Sequence, residues 1–220
     1  WIYKKRIKKK KIASKKINVG DSLTKEQIEK IENPYFLTNG SQNNLAFIFA
    51  VAKVLRLNKR KLFKTINKFK GLEFRQQTIY SSKKLTIIND SKATSFSSSI
   101  NILNSLKKVF WIVGGIPKLG DKFLIKKNNC ANFKAYIFGK NKKFFIDRFK
   151  SKLSYQIFDS LKDALEKIIL DINNDNTKEH KTILFSPAAA SFDSFTNFED
   201  RGKKFNNIVK KLKIGKLINY

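Results

Sequence analysis

"KTILFSPAAASFDSFTNFEDRG", residues 181–202, is the stretch that decides the fold of this chain. Its first five residues, Lys181–Phe185, are mostly apolar and β-prone over a short length, which is typical of a buried strand. The four small residues Ala188 to Ser191 follow, and an acidic segment with several aromatic residues then begins the pattern of a helix. The order of strand, small residues and helix predicts a turn at which the backbone comes close to another group.

Strands and helices alternate in the same way over residues 71–220. Two β-prone runs, 76–80 and 84–88, flank the polar residues Ser81 to Lys83 and predict a hairpin. The alternation after the hairpin predicts a mostly parallel sheet covered by helices, which is an α/β fold of the Rossmann type. The predicted strands lie at 109–113, 134–138, 153–157 and 181–185, and the predicted helices lie at 96–106, 141–149, 159–172 and 195–212.

A change of pattern near Gly71 predicts a boundary between two domains, residues 1–70 and 71–220. Before this boundary the apolar residues recur mainly with the spacing of helices. The predicted elements are a strand or edge hairpin in residues 1–20, a helix from Thr24, a buried helix over 44–57 and an amphipathic helix over 59–69.

The first of these helices has clear signals at both ends. Gln27 stands three places after Thr24, which is the spacing of a capping box. The pair Asn33-Pro34 then ends the helix, because the residue before a proline avoids the helical conformation. Residues 44–57 carry apolar side chains around most of a helix, and this pattern predicts that the helix is buried.

The formal net charge of +30 is the feature that points most directly to a nucleic-acid partner. A coding sequence rich in A and T explains the same charge, because Lys, Asn, Ile and Phe are abundant while Gly, Pro, Met and His are scarce. The lysines are scattered, and only Lys4 to Lys16 form a dense block. We therefore expect no specific nucleic-acid partner, and a basic nucleic-acid-binding module is the alternative.

Histidine and cysteine, which most zinc sites and Ser/His or Cys/His catalysis require, are nearly absent. Cys130 is the only cysteine, which excludes an internal disulfide and fits a reducing compartment. His180 is the only histidine, and its polar surroundings predict a surface position. Zinc sites and Ser/His or Cys/His catalysis therefore lack their residues, and any chemistry must use Lys, Arg, carboxylates and oxygen-bound ions.

Two further features concern the extent of the chain. No apolar stretch approaches the roughly 18 residues that a membrane-spanning helix needs, so we expect no membrane span. The chain begins at Trp1 and contains no Met, and it is therefore predicted to be a piece of a longer protein.

Three of the predicted strands end in unusual segments: Asn89–Thr94, Gly114–Lys118 and Ser186–Ser191. The carboxyl ends of parallel strands lie on one edge of a sheet, so these segments are expected to meet. Each segment alone has a local explanation, namely a turn or a helix cap such as Thr94, Ser95, Ser191 or Asp193. Together they place two lysines, several hydroxyls and two helix starts on one edge, and this chemistry binds carboxylates or phosphates.

The segment Gly115–Lys122 resembles a phosphate-binding loop in its two glycines. Asp121, however, stands where the lysine of that loop belongs, and a carboxylate there would repel phosphate. The sequence therefore contains no phosphate-binding loop at this place.

Four segments carry a resemblance to a known family: GLEFR at 71–75, INDSKATS at 88–95, VGGIPKLGDKF at 113–123 and SPAAASFDSFTNFEDRG at 186–202. In order and spacing they resemble the D-glutamate-adding Mur ligases of peptidoglycan synthesis, from Asn44 onward. The second and fourth segments resemble these ligases specifically among the Mur ligases. A neighbouring Mur-type or folylpolyglutamate-type ligase is the alternative among enzymes, and amino-acid selectivity would decide between them.

The resemblance implies a Rossmann-like C-terminal domain at 71–220 that binds the amino acid, preceded at 1–70 by the end of the α/β central ATPase domain. It implies ATP and Mg²⁺ as cofactors, and D-glutamate and UDP-N-acetylmuramoyl-L-alanine as partners. ATP would convert the substrate carboxylate to an acyl phosphate, which the D-glutamate amine then attacks. It also implies a cytoplasmic monomer, and a fragment that is inactive alone.

The resemblance also implies roles for single residues. Lys92 matches a catalytic lysine, and the small residues 188–191 would let their amides approach a carboxylate. Phe74 is a departure, because the family usually has His at this place. The residues implied to hold D-glutamate are Thr94, Lys118, Ser191, Phe192 and Phe198, those implied to face ATP are Asn44, Arg75 and Asp90, and no metal ligand is implied.

Overall fold

The structure, a computed structural model, describes residues 19–36 and 39–214. The chain divides into two compact units, Trp1–Lys70 and Gly71–Tyr220. Whether these units correspond to the central and C-terminal domains of a ligase stays a prediction. The strand or hairpin predicted for residues 1–20 lies almost entirely outside the described residues.

The second unit is built on a six-stranded sheet in the order β1-β2-β6-β3-β4-β5. Strand β1 pairs antiparallel with β2, and every other neighbouring pair is parallel. The mostly parallel α/β fold predicted from the sequence is therefore confirmed. The strands are β1 (Gln77–Ser81), β2 (Leu85–Asn89), β3 (Val109–Val113), β4 (Phe133–Phe138), β5 (Tyr155–Phe158) and β6 (Lys181–Phe185).

The helices of both units lie close to their predicted places. In the first unit they are α1 (Lys25–Glu29), α2 (Asn39–Val54) and α3 (Lys59–Lys68), with 3₁₀ turns at Val19–Ser22 and Pro34–Phe36. In the second unit they are α4 (Phe96–Leu103), α5 (Lys127–Cys130), α6 (Lys142–Phe149), α7 (Leu161–Asn173) and α8 (Phe198–Lys211). The short helix α5 was not predicted, α2 begins five residues earlier than the predicted Asn44, and α8 begins three residues later than the predicted Phe195.

Alternate residues of the central strands supply two separate cores, one on each face of the sheet. Phe110 and Ile112 of β3 pack with the apolar sides of α7 and α8, whereas Trp111 of the same strand packs with α4 and α6. The second core is unusually aromatic: the ring of Phe96, at the start of α4, lies 5.4–6.4 Å from five other rings. These two cores hold the strand ends in a fixed arrangement.

The first unit has a small core of its own. Ile31, Leu45, Phe49 and Ile66 form it together with Phe36. The capping box at the start of α1 is present, because the side chains of Thr24 and Gln27 each accept the other's backbone amide. The predicted start of this helix is therefore confirmed.

The prediction that the helix over 44–57 is buried was wrong for one of its faces. Phe47, Val51, Val54 and Leu55 are each more than half exposed, although Leu45 on the other face is buried. The four side chains recur at the spacing of one helical stripe, and among the described residues of this unit only α1, α3 and the 3₁₀ turns are available to cover it. No helix within residues 19–36 and 39–214 is both long and apolar enough to cross a membrane.

We expect Phe96→Ala to lower the free energy of unfolding by about 3–5 kcal/mol, because it removes a fully buried ring from the aromatic core. Urea unfolding followed by circular dichroism measures the change. Phe192→Ala is the matched control, since this ring is 71% exposed and its loss should cost less than about 0.5 kcal/mol. Equal effects of the two variants would contradict the packing described for Phe96.

Candidate functional site

The three unusual segments meet at one edge of the sheet, as predicted. Strand β6 lies between β2 and β3 and is parallel to both, so Asn89, Val113 and Phe185 end side by side. The loops that follow these three strands therefore leave the sheet from the same edge, which is where α/β sheets bind ligands.

The loops after β3 and β6 are joined by backbone hydrogen bonds. The amide of Gly114 donates to the carbonyl of Pro187 at 3.1 Å. Ile116 and Ala190 form an antiparallel bridge in which each amide donates to the other's carbonyl at 2.8 Å. A Cβ atom on Gly115 would lie 2.3 Å from the carbonyl oxygen of Ala190, so only glycine permits this approach.

These contacts explain the small residues 188–191 differently from the prediction. Ala188 adopts the left-handed conformation with φ of 56° and is fully buried, and Ala189 is part of the aromatic core. The amide of Ala190 is already donated to Ile116, so for this residue the predicted approach of an amide to a carboxylate is wrong. The residues are small because two loops and a core pack against them.

The loop after β2 is fastened to α8 by side chains. The Asn89 amide donates to the carbonyl of Gly202 at 2.9 Å and to the side-chain oxygen of Asn206 at 2.7 Å. The Ser91 hydroxyl donates to the carbonyl of Phe198 at 2.8 Å. The guanidinium of Arg201 donates to the Ser91 hydroxyl at 3.1 Å and to the Ser91 carbonyl at 2.7 Å.

Two of the predicted site residues are in direct contact. The Lys92 ammonium lies 3.7 Å from the centre of the Phe198 ring, which is a cation–π arrangement. The amide of Lys92 donates to the carbonyl of Phe74 at 3.0 Å. Because both the backbone and the ammonium of Lys92 are held, its charge has a defined position at the edge of the sheet.

The other residues predicted to hold D-glutamate lie on the same three loops. Thr94, Lys118 and Phe192 are exposed, whereas Ser191 is only 2% exposed. The loop that carries Lys118 is fixed by Asp121, whose carboxylate accepts the amide of Phe96 at 2.6 Å. Asp121, which argues against a phosphate-binding loop, thus serves as a partner for the start of α4.

The helix starts at this edge satisfy most of their own amides. Ser95 caps α4, as one of the predicted alternatives had it, by accepting the amide of Ser98. Neither Ser191 nor Asp193 caps α8, because Asn197 does so by accepting the amide of Asp200. The helix begins later than predicted since the amides of Ser194 and Phe195 bond to the Ser191 carbonyl in a turn.

Asp90 faces inward rather than into solvent. Its two carboxyl oxygens accept the Gln76 amide at 3.1 Å and the Ser186 hydroxyl at 2.8 Å, and the residue is only 5% exposed. Burial raises the pKa of Asp90 to about 7, against the lowering effect of these two donors and of nearby Arg75. Its contact with a nucleotide stays a prediction.

The remaining residues predicted to face ATP are exposed. Arg75 has an exposed side chain and lies close enough to Asp90 to influence its charge. Phe74, the residue before Arg75, is buried and has a φ of 60°. A Cβ atom added to Gly202 would lie 2.3 Å from the Phe74 ring. Asn44 is exposed on α2 in the first unit, and its contact with a nucleotide stays a prediction.

Two observations bear on other kinds of site. Among residues 19–36 and 39–214, no group of three or more His, Cys, Asp or Glu side chains is placed to hold a metal ion. A cleft of about 640 Å³ lies at the opposite edge of the sheet, around the starts of β3 and β4. It is lined by Lys108, Lys134 and Asp171 among others, and by none of the predicted site residues.

Sequence reasoning missed Arg201, which is fully buried and connects α8 to the loop after β2. It also missed the link from Asp90 through Ser186 to Ser99, whose hydroxyls are 2.7 Å apart. An arginine inside an amphipathic helix carries no sign of burial, because most arginines in this position are exposed. The only sign of this burial in the sequence is that Arg201 and Gly202 belong to the fourth of the segments that resemble the Mur ligases.

The comparisons with known proteins agree on one group. No family model matches the chain. Curated proteins named UDP-N-acetylmuramoylalanine--D-glutamate ligase do match, and that of Rickettsia conorii is 35% identical over 175 residues, 80% of this chain and 35% of that protein. The protein of this name from Francisella tularensis is 33% identical over 78% of this chain and 42% of its own length.

The chain belongs to the D-glutamate-adding Mur ligases. The resemblance carried by the four segments is thereby confirmed. The chain spans about 35–42% of the length of the relatives named here.

Solved Mur ligases share its fold: MurF of Acinetobacter baumannii has a TM-score of 0.57 over 77% of this chain and 38% of its own, at 14% identity. For a Mur ligase of Thermotoga maritima, a UDP-N-acetylmuramate-alanine ligase, the TM-score is 0.53 over 80% of this chain and 39% of its own, at 14% identity.

We expect Gly115→Ala to destabilise this member of the Mur ligases by about 2 kcal/mol or more, because a Cβ would force the loops after β3 and β6 apart. Gly120→Ala is the matched control. Its φ of +74° is unfavourable for alanine, but no atom lies within 4 Å of the added carbon, so about 1 kcal/mol is expected. Urea unfolding of both variants provides the test, and a larger loss in the control would refute the interpretation.

The pKa of Asp90 predicts a distinctive dependence of stability on pH. The carboxyl ionises near pH 4 in the unfolded chain but only near pH 7 in the folded one, so the folded state binds the extra proton between these values. Its stabilising contribution is therefore present at about pH 4 and lost as the pH rises to about 7. At about 1.4 kcal/mol for each pH unit, the full effect is on the order of 4 kcal/mol.

The measurement is the free energy of unfolding between pH 4 and 9 for the wild type and Asp90→Asn. Because the surface carboxylates are the same in both proteins, their contribution cancels in the difference. The advantage of the wild type over the variant should shrink up to pH 7 and stay constant above about pH 8. Parallel curves over the whole range would show that Asp90 is ionised normally.

Proposed function

We propose that this chain supplies the amino-acid-binding part of an ATP-dependent ligase that joins D-glutamate to UDP-N-acetylmuramoyl-L-alanine. In this proposal residues 71–220 are the Rossmann-like C-terminal domain, and residues 1–70 are the end of the central ATPase domain. The whole enzyme acts as a cytoplasmic monomer in the synthesis of peptidoglycan precursors.

The observation that supports this proposal is the contact of Lys92 with Phe198 at the edge where three loops meet. The ammonium is held 3.7 Å above the ring, and Lys118 lies on the neighbouring loop. A dicarboxylate such as D-glutamate requires positive charge and hydrogen-bond donors at both of its ends. Hydroxyls of Thr94 and Ser191 and the two lysines supply them.

The amide of Phe198 is a further donor for a carboxylate. It is the first amide of α8, and within the described chain no acceptor bonds to it, whereas the amides of Asp200 and Arg201 bond to Asn197. A free amide at a helix start points at whatever lies before the helix. We assign it to a substrate carboxylate, with Phe192 forming the exposed apolar wall of the same site.

Lys92 has the catalytic role in this proposal. The reaction passes from an acyl phosphate to a tetrahedral intermediate, and negative charge grows on oxygen atoms as the D-glutamate amine attacks. A lysine whose position is fixed before the reaction stabilises this charge without further rearrangement. The Phe198 ring and the Phe74 carbonyl hold Lys92 in that position.

The chain contributes less to the ATP side of the reaction. Arg75 is exposed and is proposed to contact phosphate, Asp90 the ribose, and Asn44 the nucleotide from the first unit. Mg²⁺ would neutralise charge on the transferred phosphoryl group. In this proposal the ligands of Mg²⁺ lie mainly in other parts of the ligase, and the described residues contain no group of three or more His, Cys, Asp or Glu placed to hold a metal ion.

The test is calorimetric titration of the chain with D-glutamate and, separately, with L-glutamate, at moderate salt. We expect only the D isomer to bind, with a dissociation constant in the millimolar range, and Lys118→Ala to weaken binding about tenfold or more through the loss of one charged donor.

The control for this experiment is Lys127→Ala. Lys127 is exposed at the opposite edge of the sheet, so this variant changes the net charge by the same amount and should bind D-glutamate like the wild type. Equal binding of both isomers, or an equal loss in both variants, would identify general attraction to a cationic protein and overturn the proposal.

A further inference from the structure

We propose that Arg201 is the positioning residue of the amino-acid site, which fixes Lys92 and Phe198 relative to each other. The effect on D-glutamate rests on the proposed function, whereas the effect on the two side chains does not. Arg201 itself touches neither of them through its guanidinium, and it acts through Ser91.

The guanidinium is buried and anchored on one residue. Its Nε donates to the Ser91 hydroxyl at 3.1 Å and its Nη2 to the Ser91 carbonyl at 2.7 Å. Two donors of the planar fork thus bind two acceptors of one residue, which fixes both the position and the orientation of that residue. Lysine could not replace this arrangement, because its ammonium is a single point of attachment.

The contacts of Ser91 continue to both predicted site residues. The Ser91 hydroxyl donates to the carbonyl of Phe198, at the start of α8, and Lys92 is the next residue of the chain. Arg201 lies three residues after Phe198, so it is on the same side of the helix, one turn later. Arg201 therefore closes a ring of contacts in which Lys92 is held over the Phe198 ring.

Gly202, the next residue, supports the same loop from another direction. A Cβ at this position would lie 2.3 Å from the Phe74 ring, so glycine allows the ring to pack on the helix. The carbonyl of Phe74 in turn accepts the amide of Lys92. The pair Arg201-Gly202 thus fixes Lys92 from both sides, through Ser91 and through Phe74.

The cost of burying Arg201 indicates that its role is more than filling space. Its Nη1 is buried with no hydrogen-bond partner, and it forms no ion pair within the described residues. Burial lowers the pKa of Arg201 to about 10, against the attraction of Asp193, whose buried Oδ2 also has no partner. Replacing a buried charged group by an apolar side chain of similar size is often neutral or stabilising, so the fork and its two acceptors are what distinguish arginine here.

The first experiment measures the side-chain resonances of Lys92 by ¹H–¹³C NMR, assigned with Lys92→Arg. A methylene next to the ammonium, held over an aromatic ring, resonates upfield of its usual position. We expect Arg201→Met to return this resonance to the position of an exposed lysine. Ser91→Ala, a milder change that removes only the hydroxyl, should shift it part of the way.

The control variant is Phe205→Leu, on the same helix. Phe205 is fully buried and stacks on Phe185 at 4.4 Å, so its replacement weakens the packing of α8 without touching Ser91. The Lys92 resonance should stay upfield in this variant, even though urea unfolding is expected to show a loss of stability. An unchanged Lys92 resonance in folded Arg201→Met, or an equal shift in Phe205→Leu, would overturn the proposal.

The second experiment measures D-glutamate binding by the same variants. We expect Arg201→Met and Arg201→Lys both to raise the dissociation constant about tenfold, and Phe205→Leu to change it less than about twofold. Full affinity in Arg201→Lys would mean that charge alone matters and would overturn the positioning role. If wild type fails to bind D-glutamate while the NMR result holds, the proposed function fails and the positioning of Lys92 stands.

Discussion

The parallel pairing of β6 with β2 on one side and β3 on the other is the constraint on which the candidate site depends. It brings the ends of three strands that are far apart in the chain to one edge of the sheet. The loops then add their own contacts: the bridge between Ile116 and Ala190, and the bonds from Asn89 and Ser91 to α8. Lys92, Thr94, Lys118, Ser191 and Phe192 lie on these loops, and each loop is tied to a neighbour, so the loops keep defined positions.

Much of this arrangement was predictable from the sequence because it depends on local patterns. Apolar runs at 109–113 and 181–185 are strands with the predicted bounds, and the capping box at Thr24 has the predicted contacts. The meeting of three loops followed from a general rule for parallel sheets. Short patterns of this kind are decided by neighbouring residues, and neighbours in sequence are all that a single sequence shows.

Three of the failed or missed predictions concern contacts between residues that are distant in the chain. Ala190 was expected to offer its amide to a ligand, but that amide bonds to Ile116, 74 positions earlier in the chain. In the sequence Arg201 has the pattern of a surface residue on an amphipathic helix, and its hydrogen bond to Ser91 is visible only in the structure. Likewise, the apolar side chains of α2 predict a buried face, although one stripe of them is exposed. The spacing of apolar residues shows which side of a helix could be buried, and it does not show whether another element covers that side.

The place of β6 in the sheet also governs the order in which the fold can be completed. It is the last strand within residues 19–36 and 39–214, yet it fills the gap between β2 and β3, which have no pairing with each other. During synthesis the earlier strands can assemble only as two separate sets, β1-β2 and β3-β4-β5, each with an unpaired inner edge. A ribosome that stops before residue 185 therefore releases a chain with two exposed strand edges. Strand β6 is therefore the closing step of this sheet, and a stop codon before it would remove far more structure than its position suggests.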